Sequence, residues 1–235
     1  MLRTRIKICG LTRPQDILAA VAAGADALGF VFYQKSPRYQ TPEQVRQLLA
    51  CVPPFVATVG LFVNATALQV QEALVQAPVS LLQFHGDETP EQCAQVAALV
   101  NCPFMTVIRV RPETTSADLL EYESRCQTAS ALFSGLLLDT HVDSYGGGGK
   151  VFDWSIIPEE LAPRVVLSGG LDAQNATDAV FRVRPHAVDV SSGVERMTGA
   201  TRMPGIKDAA RMAAFVAAVR AADAALTDLQ ENPHE

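Results

Sequence analysis

Two small turns that contain glycine follow neighbouring predicted strands in the stretch 165–195. The first strand ends at Gly169 and Gly170, and the second strand, after a predicted helix, ends at Ser192 and Gly193. Parallel strands joined by a helix end at the same edge of a sheet, so both turns lie on one side. Glycine lets backbone N–H groups converge on an anion. The pattern predicts a phosphate site after strands seven and eight of a barrel. Glycines that only form tight turns are the alternative.

A thiol and a carboxylate end two other predicted strands, and such a pair suits acid–base chemistry. Cys9 ends the first strand and Asp139 ends the sixth. A thiol is a general base once ionised, and its ordinary pKa of ~8.5 leaves a few per cent thiolate at neutral pH. Lys7 shares a strand face with Cys9 and is a candidate for lowering that pKa. A buried structural thiol and a turn-forming or capping carboxylate are the alternatives.

Three further polar residues lie near predicted strand ends. Arg38 follows the second strand in a loop restricted by Pro37, and its guanidinium suits bidentate binding of a carboxylate or phosphate. An exposed loop position is equally compatible with this sequence. His85, at the end of the fourth strand, is a weaker candidate because a strand-end histidine often only packs. Asp189 lies within the eighth strand, where we expect a satisfied structural residue and not a catalytic one.

Eight strand–helix units position these residues. Apolar, β-branched runs recur at intervals of roughly 20 to 30 residues and alternate with segments of helical periodicity. This alternation predicts a single (β/α)8 TIM barrel over residues 1–222, with an open doubly wound sheet as the rival fold. The strands are expected to begin near Ile6, Ala27, Ala57, Leu81, Phe104, Gly135, Val165 and Ala187. The helices are expected at 14–23, 42–51, 65–76, 90–100, 117–125, 155–161, 175–183 and 206–222.

Two segments depart from this rhythm. The connection 140–150 after the sixth strand is long and rich in glycine, which is typical of a movable active-site lid or of a plain surface loop. Residues 223–235 turn polar and are predicted to form a C-terminal tail that is frayed or disordered.

Composition limits the classes of function. The chain has 235 residues, 49% of them hydrophobic, and a formal net charge of −6, which argues against a nucleic-acid surface. Five well-separated cysteines without a CxxC pair favour a reducing cytosol over a disulfide framework or a zinc site. We find no signal peptide and no apolar run of membrane-spanning length. The sequence predicts a soluble, cytoplasmic protein without a membrane partner, and a monomer, because no long exposed apolar stripe stands out.

Eight short motifs, taken in order, resemble the phosphoribosylanthranilate isomerase family of tryptophan biosynthesis. The resemblance runs from about residue 5 to 220, and its specificity lies in the joint order of the motifs. They are KICG (7–10), SPR (36–38), GLFVN (60–64), QFHGDE (83–88), LLLDT (136–140), GGGGKVFDW (146–154), LSGGL (167–171) and VDVSSGVE (188–195).

The resemblance implies an Amadori rearrangement of N-(5′-phosphoribosyl)anthranilate to 1-(o-carboxyphenylamino)-1-deoxyribulose 5-phosphate, without metal or cofactor. It implies that Cys9 is the general base and Asp139 the general acid, and that Arg38 holds the anthranilate carboxylate. It also places further substrate contacts at His85, Gly147, Gly148, Gly169, Gly170, Ser192 and Gly193. The family often has threonine in its glycine loop, where this chain has only glycine before Lys150.

Two other functions remain open at this point. The histidine-pathway phosphoribosyl sugar isomerase runs the same rearrangement on a larger substrate with two phosphates. That family is expected to carry aspartate where this chain has Cys9, and it needs a second phosphate site that we do not find in the first half of the chain. A non-catalytic phosphate-binding barrel is the alternative from a different class.

Overall fold

Eight parallel strands form a closed barrel in chain order, and the eighth strand pairs with the first. The computed structural model describes residues 3–140 and 151–231. This architecture confirms the predicted (β/α)8 barrel. The strands are β1 (Arg5–Cys9), β2 (Ala27–Val31), β3 (Ala57–Phe62), β4 (Leu81–Phe84), β5 (Phe104–Val110), β6 (Phe133–Thr140), β7 (Val165–Leu167) and β8 (Ala187–Val190).

Helices surround the barrel, and four of them begin with the same local signal. Thr41, Thr66, Thr89 and Thr115 each accept a hydrogen bond from the third helical residue, whose side chain bonds back to the threonine N–H. Such a capping box satisfies two backbone donors at a helix start. The helices are α1 (Pro14–Ala23), α2 (Pro42–Leu49), α3 (Ala67–Gln76), α4 (Pro90–Val100), α5 (Ser116–Ala129), α6 (Ala176–Val183) and α7 (Ala209–Glu231).

Alternating side chains on each strand separate the core from the barrel interior. On β1, Ile6 and Ile8 pack in the layer between the strands and the helices. The intervening Lys7 and the following Cys9 therefore face the interior, as the period-two geometry of a strand requires. This alternation brings polar groups of β1 into the barrel while the apolar positions hold the helices.

The prediction of an α-helix over 155–161 is wrong. The chain instead forms two short 3₁₀ helices, Trp154–Ile156 and Ala162–Arg164. Pro158 lies in the middle of the predicted segment, and a proline in a helix interior lacks the N–H donor and clashes with the preceding turn. The apolar residues whose spacing suggested a helix, such as Ile157 and Leu161, are buried although they lie outside any α-helix.

The segment after β8 contains a hairpin that the sequence analysis missed. Strands β9 (Glu195–Thr198) and β10 (Thr201–Lys207) pair antiparallel across a turn at Gly199, whose φ of 59° is left-handed. The helix predicted to begin at Ile206 therefore begins only at Ala209.

Helix α7 also continues beyond residue 222, where the tail was predicted to start. The Asp223 carboxylate accepts a hydrogen bond of 2.7 Å from the Thr4 hydroxyl, and Leu226 is buried. These contacts attach the helix to the start of β1. Residues 223–229 belong to a helix whose packed face includes Leu226, so the predicted boundary does not coincide with the end of the helix.

Candidate active site

A pocket at the C-terminal ends of the strands gathers most of the residues singled out in the sequence. In (β/α)8 barrels this end carries the chemistry, because loops of independent length extend from a rigid ring of strands. Its walls include the apolar residues Val31, Leu61 and Val63. The predicted site residues that line it are Cys9, Arg38, His85, Asp139, Gly169, Gly170 and Ser192.

The Cys9 thiol occupies space that a glycine on the next strand leaves free. Cys9 pairs in register with Gly29 of β2, and a Cβ atom at Gly29 would lie 2.7 Å from the Cys9 sulfur. Any side chain at position 29 would therefore displace the thiol. Gly29 is a site-shaping residue that the sequence analysis did not single out.

A buried ion pair lies beside the thiol. Lys7 Nζ donates to Asp189 Oδ1 at 2.8 Å, and both side chains are almost completely buried. Burial raises the pKa of Cys9, while the charge of Lys7 acts in the opposite direction. Lys7 therefore lowers the pKa of Cys9, as predicted. Burial has the larger effect, so the net shift of this pKa is upward. Asp189 is paired, as expected for a satisfied residue.

The Asp139 carboxylate is held by two side chains at the end of β4, His85 directly and Gln83 through His85. His85 Nε2 lies 3.1 Å from Asp139 Oδ2, and His85 Nδ1 lies 3.0 Å from Gln83 Nε2. When the amide of Gln83 donates to Nδ1, the imidazole carries its proton on Nε2 and donates it to the carboxylate. His85 therefore orients Asp139 at the pocket wall.

Arg38 is a buried residue and not an exposed loop arginine. Its Nε and Nη2 atoms donate to the two carboxylate oxygens of Glu195 at 2.7 and 2.9 Å. Glu195 is fully buried and lies at the start of β9. The aliphatic part of the Arg38 side chain also packs over Gly10, where a Cβ atom would lie 2.5 Å from Arg38 Cδ.

The two glycine turns pack directly against each other. Gly169 and Gly170 have φ values of 84° and 67°, which side-chain-bearing residues rarely adopt. A Cβ atom at Gly193 would lie 2.0 Å from the carbonyl oxygen of Leu171, so position 193 has no room for a side chain. The turns after β7 and β8 thus form one continuous surface, and Ser192 contributes to the pocket beside them.

Some predicted features lie outside the described residues, and some site residues were missed. Gly147 and Gly148, with the predicted lid, lie within 141–150, which the structure does not describe. Lys207 and Glu195 were not predicted as site residues. Lys207 stands in TRMPGIK, where no sequence signal distinguishes it from a surface lysine. Glu195 was quoted only as the last residue of a motif.

Within residues 3–140 and 151–231, no group of three His, Cys, Asp or Glu side chains lies close enough to hold a metal ion. None of the helices in this part of the chain is long and apolar enough to cross a bilayer.

Comparison with known proteins places the chain in a family. The family profile for N-(5'phosphoribosyl)anthranilate (PRA) isomerase matches residues 6–218. An N-(5'-phosphoribosyl)anthranilate isomerase of Herminiimonas arsenicoxydans is 66% identical over 224 residues, which cover 95% of this chain and 96% of the relative.

Solved structures agree with this result. A phosphoribosyl anthranilate isomerase in complex with reduced 1-(o-carboxyphenylamino)-1-deoxyribulose 5-phosphate is 35% identical, with a TM-score of 0.76 over 93% of this chain and 99% of the other. Monomers generated from the dimeric enzyme of Thermotoga maritima are also 35% identical, with a TM-score of 0.75 and the same coverage. The chain belongs to the PRA isomerase family.

Proposed function

We propose that the pocket at the C-terminal ends of the strands catalyses the Amadori rearrangement of N-(5′-phosphoribosyl)anthranilate in tryptophan biosynthesis. The supporting observation is that one pocket brings together the thiol of Cys9, the carboxylate of Asp139, the guanidinium of Arg38 and two adjoining glycine turns. These groups match the demands of the reaction, which needs a base, an acid and a binding site at each charged end of the substrate.

Asp139 serves as the general acid and Cys9 as the general base. Protonated Asp139 gives its proton to the ring oxygen, the ring opens, and a Schiff base forms between C1′ and the anthranilate nitrogen. The Cys9 thiolate then removes the C2′ proton, and the electrons of that bond form an enolamine. Loss of the 2′-hydroxyl proton and protonation of C1′ give the ketone, so the isomerisation consumes no net proton.

The substrate is held at both ends during these steps. The phosphate binds at the turns that contain Gly169, Gly170, Ser192 and Gly193, because glycine-bearing turns at this position of a barrel can present backbone N–H groups to an anion. The anthranilate ring lies against the apolar wall of the pocket, with its carboxylate at Arg38. In this arrangement His85 orients the acid, and a direct contact between His85 and the substrate stays a prediction, as do contacts from Gly147 and Gly148.

Product identification tests this proposal against its two rivals. We expect purified protein, in buffer containing a chelator, to convert N-(5′-phosphoribosyl)anthranilate into an isomer of equal mass with a ketone carbon in its ¹³C spectrum. A histidine-pathway isomerase would instead act on the aminoimidazole substrate with two phosphates. A binding barrel would retain ligand and leave both compounds unchanged.

Replacing Arg38 with alanine is expected to raise KM about 10- to 100-fold with a smaller change in kcat. A hydrogen bond to a charged group contributes about 1.5 to 3 kcal/mol, and this contact exists before and during the reaction. Steady-state kinetics measures both constants. If KM and kcat both stay at their wild-type values in a folded variant, Arg38 does not hold the carboxylate.

Replacing Lys7 with glutamine is expected to raise the pKa of Cys9 above its wild-type value. Two other charges also affect the pKa of Cys9: Asp189 raises it and Lys207 lowers it. Glutamine keeps a donor for Asp189 but removes the positive charge that favours the thiolate. The pH dependence of Cys9 alkylation by iodoacetamide, followed by peptide mass spectrometry, reports this pKa. The midpoint should stay in place in Lys35→Gln, which alters an exposed lysine; an unmoved midpoint in Lys7→Gln as well would contradict the role of Lys7.

The monomer and the cytoplasmic location inferred from the sequence stay predictions. Phe55 is fully exposed at a φ of 70°, beside a cavity of about 380 Å³ at the N-terminal end of the barrel. An exposed aromatic residue next to a partly apolar cavity is typical of a contact surface. This feature, and the dimeric relative in Thermotoga maritima, weigh against the monomer. Light scattering of the purified chain measures its mass directly.

A further inference from the structure

The buried carboxylate of Glu195 is not needed for any proton transfer in the proposed reaction. It nevertheless binds Arg38, which lines the pocket. Glu195 and Lys207 face each other at the base of the β9–β10 hairpin, where they pair in register. Both side chains are fully buried in an ion pair of 3.3 Å.

Four donors fix the Glu195 carboxylate in one orientation. Oε1 accepts from Arg38 Nε at 2.7 Å, from Gly205 N at 2.8 Å and from Lys207 Nζ at 3.3 Å, and Oε2 accepts from Arg38 Nη2 at 2.9 Å. Burial favours the neutral acid, but Arg38 and Lys207 hold the pKa of Glu195 below its ordinary value. The group is therefore an ionised, immobile acceptor.

This acceptor determines the orientation of the Arg38 guanidinium. The guanidinium is planar, and one of its edges is engaged in the bidentate pair with Glu195. Within the part of the chain that the structure describes, Nη1 makes no hydrogen bond to protein. Arg38 lines the pocket, so the free edge is available to a ligand in a single orientation.

We propose that Glu195 is a positioning residue that fixes Arg38 for the carboxylate of the substrate. Lys207 and Gly205 hold Glu195 in turn. The inference rests on the proposed function, because it requires a substrate carboxylate at Arg38. A preoriented guanidinium loses less conformational freedom on binding than a mobile one, so its contact contributes more to affinity.

The same network reaches the phosphate end of the substrate. Lys207 Nζ donates to the carbonyl oxygen of Ser191 at 2.9 Å, and Ser191 directly precedes the turn of Ser192 and Gly193. Glu195 follows that turn by two residues. The base of the hairpin therefore connects the turn after β8 with Arg38 through Lys207 and Glu195.

The test replaces Glu195 with glutamine, which keeps the shape of the side chain but removes its charge and one acceptor oxygen. For N-(5′-phosphoribosyl)anthranilate we expect KM to rise about tenfold while kcat stays within about twofold. For N-(5′-phosphoribosyl)aniline, which lacks the carboxylate, both constants should be unchanged from wild type. A purely structural defect would affect both substrates alike.

A matched control exists in the same chain. Glu123 binds Arg164 through both carboxylate oxygens at 2.8 Å and is also buried, but it lies on α5 away from the pocket. Glu123→Gln removes the same kind of interaction and should leave both substrates unaffected. Adding Glu195→Gln to Arg38→Ala should produce no further loss beyond Arg38→Ala alone, because Glu195 acts through the arginine.

Each outcome decides the inference. Selective loss for the anthranilate substrate supports it, and so does non-additivity with Arg38→Ala. Equal effects on both substrates, unchanged kinetics, or additive losses overturn it. If Glu195→Gln does not fold, Glu195→Asp serves instead, since its shorter side chain cannot reach both Arg38 nitrogens and should show the same selectivity. A wild-type protein that leaves phosphoribosylanthranilate unchanged would refute the proposed function itself.

Discussion

The Cys9→Ala variant is expected to lose about 10²- to 10⁴-fold in kcat, which is the usual contribution of a positioned acid or base. The thiol lines the pocket at the end of β1, and glycine at position 29 leaves it space. Alanine fits the same space without strain but cannot accept the C2′ proton. The loss of substrate fluorescence under saturating conditions measures kcat.

A second buried thiol provides the control for this prediction. Cys93 lies on α4, fully buried in the helix layer and outside the described pocket. Cys93→Ala should lower stability modestly and leave kcat at the wild-type value. If Cys9→Ala, folded and able to bind, turned over as fast as Cys93→Ala, Cys9 would be a packing residue and the base would lie elsewhere.

Asp139→Asn should lower kcat by a similar factor, about 10²- to 10⁴-fold, with little change in KM. Asparagine keeps the shape of the side chain, and its oxygen can still accept from His85 Nε2. The amide has no acidic proton to give to the ring oxygen, so ring opening becomes slow. The charge change also removes any role of the carboxylate in later steps.

Asp178→Asn is the matched substitution for Asp139→Asn. Asp178 is exposed on α6, where it pairs with Arg182 at 3.5 Å. Its replacement removes a carboxylate from the surface and should leave the kinetics unchanged. Wild-type kcat in Asp139→Asn would show that another group, or water, protonates the ring oxygen.

The barrel could be predicted because each strand carries its own local signal. Runs such as 135–139 and 165–168 are apolar, short and bounded by turn residues, and parallel strands place their ends on one face. That rule alone assigns Cys9, Asp139 and Gly169 to a common site. In the structure these three residues line one pocket.

The parts that failed depend on interactions that local patterns do not contain. The apolar residues of 155–161 have helical spacing, but Pro158 in the same segment is incompatible with a helix interior. The β9–β10 hairpin has few apolar residues, and its base is stabilised by the pair of Glu195 and Lys207, which are buried only in the folded chain. No spacing rule links Arg38 to Glu195, 157 positions away.

The electrostatics of the thiol show a third limit. From strand geometry, Lys7 was correctly placed on the face of Cys9, and the sign of its effect on the thiol pKa was correct. The sequence did not indicate how deeply both residues are buried, nor that Asp189 pairs with Lys7. Burial, which only the tertiary structure determines, therefore sets the direction of the net shift.

The most direct test of the account compares substrate consumption by the wild-type protein and by the double variant Cys9→Ala/Asp139→Asn. Both proteins should bind the reduced product analogue, which shows that the pocket is intact. We expect rapid loss of anthranilate fluorescence with the wild type and only the buffer rate with the double variant. Equal rates in the two traces would contradict the assignment of Cys9 and Asp139 as the base and the acid.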